Sequence, residues 1–158
     1  MKKHLALLAL AFGTVAGAQN APAPDLWAGA WKLDVSQSKL HDAPKSAVVT
    51  IQPADEARTK IAYTIHMIAA DGTTMHETYD GKSDGKPYPL MINGKEASMV
   101  SYTRTSNVVT TSTGSSKDGR NTTATITMSP EGKTITVETH VTDSKGTYDD
   151  KAIYEKSS

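Results

Sequence analysis

The chain has 158 residues, with 17 basic and 17 acidic side chains and no cysteine. That length holds one hydrophobic core and not two, and the missing cysteine excludes a disulfide scaffold, a thiol nucleophile and an acylated N-terminal cysteine. The charges are evenly mixed, with no basic stripe to meet phosphates, so nucleic-acid binding is not expected.

Met1-Lys2-Lys3 is a short basic segment, Leu5 to Val15 is apolar, and Ala16-Gly17-Ala18 fits a small-x-small cleavage site. Residues 1–18 therefore read as a signal peptide, too short for a membrane span of about 20 residues. Its removal leaves 140 residues with 15 basic and 17 acidic side chains. An exported domain without disulfides suits a bacterial periplasm better than an animal extracellular space. Residues 19–25, rich in Pro and Ala, read as a flexible leader, and residues 26–158 as one folded domain.

Turn signals punctuate that domain: Asp71-Gly72, Asp84-Gly85, Asn93-Gly94, Asp118-Gly119, Glu131-Gly132 and Lys145-Gly146, with a further polar break at Thr105-Ser106-Asn107. Between them apolar residues alternate with polar ones. Ile61, Tyr63, Ile65 and Met67 share one face of 58–67. Ala124, Ile126 and Met128 do the same in 121–128, as do Ile135, Val137 and Val141 in 133–142. Period-two patterning rich in Thr, Val and Ile predicts half-buried strands. Ten are expected, at about 28–33, 46–52, 58–67, 73–80, 88–92, 96–104, 106–113, 121–128, 133–142 and 147–156. Nothing beyond residue 18 has helical periodicity, apart from a turn or so at Ser36 to Leu40.

Hairpin-length links make sequence neighbours spatial neighbours. The expected fold is thus all-β, a single antiparallel up-and-down barrel of about 8–10 strands, which removes both exposed edges. A β-sandwich is the alternative, but it needs several long crossings and only Asp34 to Lys45 is long enough.

Gly29-Ala30-Trp31-Lys32-Leu33 on the first predicted strand resembles the Gly-x-Trp start shared by lipocalins and fatty-acid-binding proteins. Ile153-Tyr154-Glu155-Lys156 on the last is similar to the closing strand of fatty-acid-binding proteins. The pair is also similar to small exported bacterial proteins of unassigned role. The resemblance implies a calycin-like barrel in which Trp31 plugs one end against a basic residue of the last strand, Lys151 or Lys156. Three departures stand out. Asp34 to Lys45 is too short for a helical lid, no C-terminal helix follows Lys156, and Ala152 occupies the position where fatty-acid-binding proteins hold their ligand's carboxylate with Arg.

The candidate ligand-binding residues are Trp31, Tyr63, Ile65, Met67, Tyr102 and Tyr154, inward-facing if the alternation holds; they either line a cavity or fill the core. His66 and His76 flank one turn. A two-residue turn would pair His66 with Glu77, and a three-residue loop would pair the histidines. With no third ligand placed beside them, a metal site is not expected. No cofactor motif, nucleophile elbow or metalloprotease motif occurs, and the adjacent Asp149 and Asp150 face opposite sides of a strand. An enzyme is the least supported reading. The rim segment from Tyr79 to Tyr88 is the most distinctive stretch, although a solvated turn accounts for it. The expected function is an exported, soluble protein holding a small hydrophobic or amphipathic ligand. The alternative is a filled barrel acting through surface loops. Oligomeric state is not legible.

Overall fold

The computed structural model describes residues 24–157; the expected signal peptide and most of the expected leader lie outside them. Ten strands run β1 (Gly29–Leu33), β2 (Ser46–Ile51), β3 (Lys60–Ile68), β4 (Thr74–Lys82), β5 (Asp84–Ile92), β6 (Lys95–Arg104), β7 (Val109–Ser116), β8 (Asn121–Met128), β9 (Thr134–Asp143) and β10 (Gly146–Lys156). Each pairs antiparallel with its sequence neighbours, and β1 pairs with β10, closing the barrel. No sandwich forms, because the first and last strands find each other and leave no edge.

Closure places Trp31 opposite Lys156 and Leu33 opposite Tyr154. Asp34 N–H donates to Ile153 O at 2.8 Å, and Ser157 N–H to Ala30 O at 2.8 Å, on either side of those pairs. The Trp31 side chain has no exposed surface and packs with Trp27, Met128 and Ile135. Its indole N–H donates to Trp27 O at 2.9 Å. The Lys156 ammonium sits 4.9 Å from the Trp31 ring centroid and donates to Leu26 O at 2.8 Å, so it is Lys156 that covers the plug. Lys151 lies elsewhere, paired with Glu138 at 3.1 Å.

Asp25 belongs to this end of the barrel: its carboxylate accepts the N–H groups of Trp27 and Ala54 at 3.1 and 2.9 Å. The opposite end of the β1 side is covered by the β1–β2 connection. Asp34 gathers Ser36 and Gln37 into a turn in place of a helix. Lys39 then bridges to Lys151, and Leu40 packs on Leu33, Ala47 and Ala152.

Two elements depart from the pattern read in the sequence. Asp84-Gly85 is not the expected turn; the break falls at Ser83 alone, and β5 starts at Asp84. Asn93 N–H donates to His76 O, so odd-numbered amides of β5 point toward β4. Pro87 and Pro89 have no N–H to give on that side. The β4–β5 ladder consequently stops after Glu77↔Ile92, Thr78↔Met91 and Tyr79↔Leu90. The split is filled by aromatic packing: Tyr79 and Tyr88 meet edge-on at 6.5 Å beside Gly81. The second departure is β7, which begins at Val109 and not at residue 106, because Ser106 Oγ accepts the N–H groups of Val108 and Val109 and holds a turn there.

Two stability outcomes follow from this packing. Trp31→Ala should lower unfolding stability by about 3–5 kcal/mol in denaturant titration, as expected for a buried Trp; a loss under about 1 kcal/mol contradicts the plug. Gly81→Ala should cost about 1–3 kcal/mol, since the added methyl would lie 2.6 Å from the hydroxyl of the buried Tyr79 and 2.8 Å from Tyr88 Cγ, the inner end of a ring whose hydroxyl is tied to Asp84.

Candidate functional site

Inward positions differ sharply in size around the barrel. On β3, β4 and β6 they include Tyr63, Ile65, Tyr79, Val100 and Tyr102, whereas on β7 they include Thr110, Ser112 and Gly114, and β8 adds Thr122 and Ala124 ahead of the larger Ile126 and Met128. Large side chains from one wall cannot fill the space left by small ones on the other. A cavity of about 580 Å³ remains inside the barrel, within the range of roughly 300–1,000 Å³ usual for small-molecule sites.

Five of the six residues expected to contact a ligand, Trp31, Tyr63, Ile65, Tyr102 and Tyr154, line this cavity. Met67 shares their face but packs one level lower, against Leu33, Ala47 and Ala152. Tyrosine both lines and fills. Tyr63 and Tyr79 stack at 5.5 Å, and Tyr102 meets Tyr79 edge-on at 4.9 Å. The hydroxyls of Tyr63 and Tyr102 approach to 2.9 Å, although β3 and β6 are not neighbours in the sheet. This contact braces the interior from wall to wall.

The brace carries a polar chain. Tyr63 O–H donates to Glu77 Oε1 at 3.3 Å, and Tyr102 is then the donor to Tyr63. Burial holds the Tyr63 and Tyr102 phenols far above the usual range and pushes Tyr79 and Tyr154 up to about 12. All four stay neutral donors at physiological pH. Burial also raises the Glu77 carboxyl, with the Tyr63 hydrogen bond opposing it.

Arg104, which the sequence reading passed over, is another charged group of the lining. It shares the inward face of β6 with Val100 and Tyr102, and its guanidinium carbon stands 5.9 Å from the Trp27 ring centroid. Alternation within β6 was enough to reveal it, since Tyr102 and Arg104 are two apart.

The outer surface offers less. His66 and His76 pair, their rings 4.5 Å apart, because Ala69 and Thr73 close a three-residue loop. Among the described residues no group of three or more metal-ligating side chains converges, and no helix is long and apolar enough to cross a membrane. A second depression, of about 590 Å³, lies over β7–β10. Four of its charged groups already pair, Glu138 with Lys151 at 3.1 Å and His140 with Asp149 at 2.7 Å, and Asp150 accepts the His41 N–H at 2.6 Å.

No family model matches the chain, and no match was found among characterised proteins. The fold and interior define a closed, ten-strand, up-and-down antiparallel barrel with an internal cavity, an architecture compatible with a calycin-like barrel.

Glu77 makes stability depend on pH. Its folded-state pKa lies above the ordinary 4.5, so between those values the folded state holds the proton more tightly than the unfolded one. Stability therefore falls as pH rises through that window and stays reduced above it. Glu77→Gln keeps an acceptor for Tyr63 and removes the buried charge. It should raise the denaturant midpoint at pH 7 and leave it unchanged near pH 4. An unchanged midpoint at both pH values contradicts the placement of Glu77 in a low-dielectric interior.

Proposed function

We propose that this protein is a binding module that holds one small apolar or amphipathic molecule inside its barrel. The observation that carries the reading is the cavity of about 580 Å³, walled by Trp31, Tyr63, Ile65, Tyr102 and Tyr154 and by the small side chains of β7 and β8. A barrel selected only for stability gains by filling such space, because an unfilled apolar volume forfeits dispersion contacts. Here Ser, Gly, Ala and Thr keep it open.

The paired Gly-x-Trp and Tyr-Glu-Lys segments at the seam, with Lys156 over the Trp31 ring, support a lipocalin-like or fatty-acid-binding-protein-like mode of use. The basic–apolar–small-residue leader supports export to a periplasmic or extracellular space. A retrievable carrier for a sparingly water-soluble molecule fits both.

Titration with the neutral fluorophore N-phenyl-1-naphthylamine should give saturable uptake of one probe per chain. Ala124→Phe, which adds a ring on the small-residue wall, should abolish that uptake while leaving the far-ultraviolet circular dichroism unchanged. Exclusion of the probe by the wild-type protein contradicts the reading and favours a barrel that acts through its outer face or loops.

A further inference from the structure

The cavity contains one group that nothing in the fold satisfies. Arg104 Nε is buried without a hydrogen-bond partner, the single such side-chain atom among the described residues. A guanidinium stays charged at any physiological pH and carries five N–H donors. Burying one of those donors unpaired is costly, and native interiors rarely tolerate it without a reason.

The cavity's acids do not supply the missing partner. Asp25 spends its two oxygens on the N–H groups of Trp27 and Ala54. Asp118 accepts from Ser116 and from the backbone of Arg120. Glu77 accepts a hydrogen bond from the Tyr63 hydroxyl and is itself shifted toward the neutral form. Arg104 makes no ion pair with any described residue. Meanwhile Lys60, the other cation toward this end of the lining, is turned to Asp80 at 3.7 Å. The guanidinium is held from one side by the Trp27 ring, so its position is set before any ligand arrives.

We propose that Arg104 is the anchor for an anionic group on the cavity's ligand, which is therefore an amphipathic carboxylate with its apolar body lying along the tyrosine and small-residue walls. A carboxylate matches the planar fork of donors and satisfies Nε together with a neighbouring N–H. The anchor lies on β6, whereas the resemblance points to the position of Ala152 on β10, which cannot hold an anion. This inference deepens the binding reading above and rests on it.

The test uses the wild-type protein loaded with N-phenyl-1-naphthylamine and displaced by a matched pair, dodecanoate and dodecanol, which differ only in the head group. Dodecanoate should displace the probe at a concentration at least about tenfold lower than dodecanol, in line with a charge-assisted pair formed out of water. In Arg104→Met, which keeps an apolar side chain beside Trp27, that preference, with both competitors measured against the probe's own affinity for the variant, should collapse to within about twofold. Arg104→Lys should recover part of it, because the charge returns without the planar fork. Equal displacement by the two competitors in the wild-type protein overturns the inference and leaves the binding reading standing, as does a preference that survives Arg104→Met. A stronger effect of dodecylamine than of dodecanoate also overturns it, by pointing to Glu77 as the anchor. If the probe never enters the wild-type protein, the binding reading falls and this inference falls with it.

Discussion

The pairing of β1 with β10 is the constraint on which the rest depends. It turns a ten-strand meander into a cylinder, and only a cylinder has an inside for alternate residues to share. The register Trp31↔Lys156 does two jobs at one place. It completes the ladder, and it brings the final lysine of the last strand across the indole that closes the end. Trp27 forms a second layer of that closure: its indole N–H reaches Asn107 O at 2.9 Å, tying the residues before β1 to the β6–β7 turn. Sheet closure and end closure are thus one event.

Given a closed cylinder, side-chain volume decides what is inside it. The tyrosines of β3, β4 and β6 reach into the barrel, and the Tyr63–Tyr102 hydroxyl contact fixes how far. The facing strands answer with Ser112, Gly114 and Ala124. Gly114 is needed for this: a methyl there would stand 2.7 Å from Thr122 Oγ1 and 3.4 Å from Val100 Cγ2. The result is an asymmetric interior with a rigid aromatic wall and a thin polar wall, and with Glu77 and Arg104 among its charged groups. Glu77 is drawn toward neutrality by its surroundings, whereas Arg104 brings a guanidinium with an unpartnered Nε. That difference gives the cavity a chemical polarity as well as a shape.

Most of the architecture was legible because it follows from local rules. Alternation in segments such as 58–67 and 121–128, and turn dipeptides such as Asn93-Gly94, report strand and hairpin directly; Asn93 and Gly94 indeed take the positive φ values, 50° and 77°, that a tight two-residue turn requires. What could not be read locally depended on more than one segment. The β4–β5 split comes from where the amides of Pro87 and Pro89 would have pointed, which depends on the register of the neighbouring hairpin. The choice between Lys151 and Lys156 needed the seam register. Whether the tyrosines fill or line the barrel is a sum of volumes over eight or more strands, and no single strand contains it. Arg104 and Glu77 are different: both were readable from alternation alone, as inward neighbours of Tyr102 and Tyr79, yet Arg104 went unread and Glu77 was weighed only as a partner for His66, because charged residues on strands are ordinarily assigned to the solvent face.

The measurement that bears most directly on this account is native-state amide hydrogen exchange at the seam. The Asp34 and Ser157 N–H groups each cross from one terminal strand to the other. In a closed barrel they exchange on the timescale of amides in the middle of the sheet, such as those of β8 and β9, because freeing them requires opening the cylinder. Exchange as fast as that of an exposed turn amide such as Gly94 would mean that the terminal strands are open edges, and the cavity would have no wall to complete it.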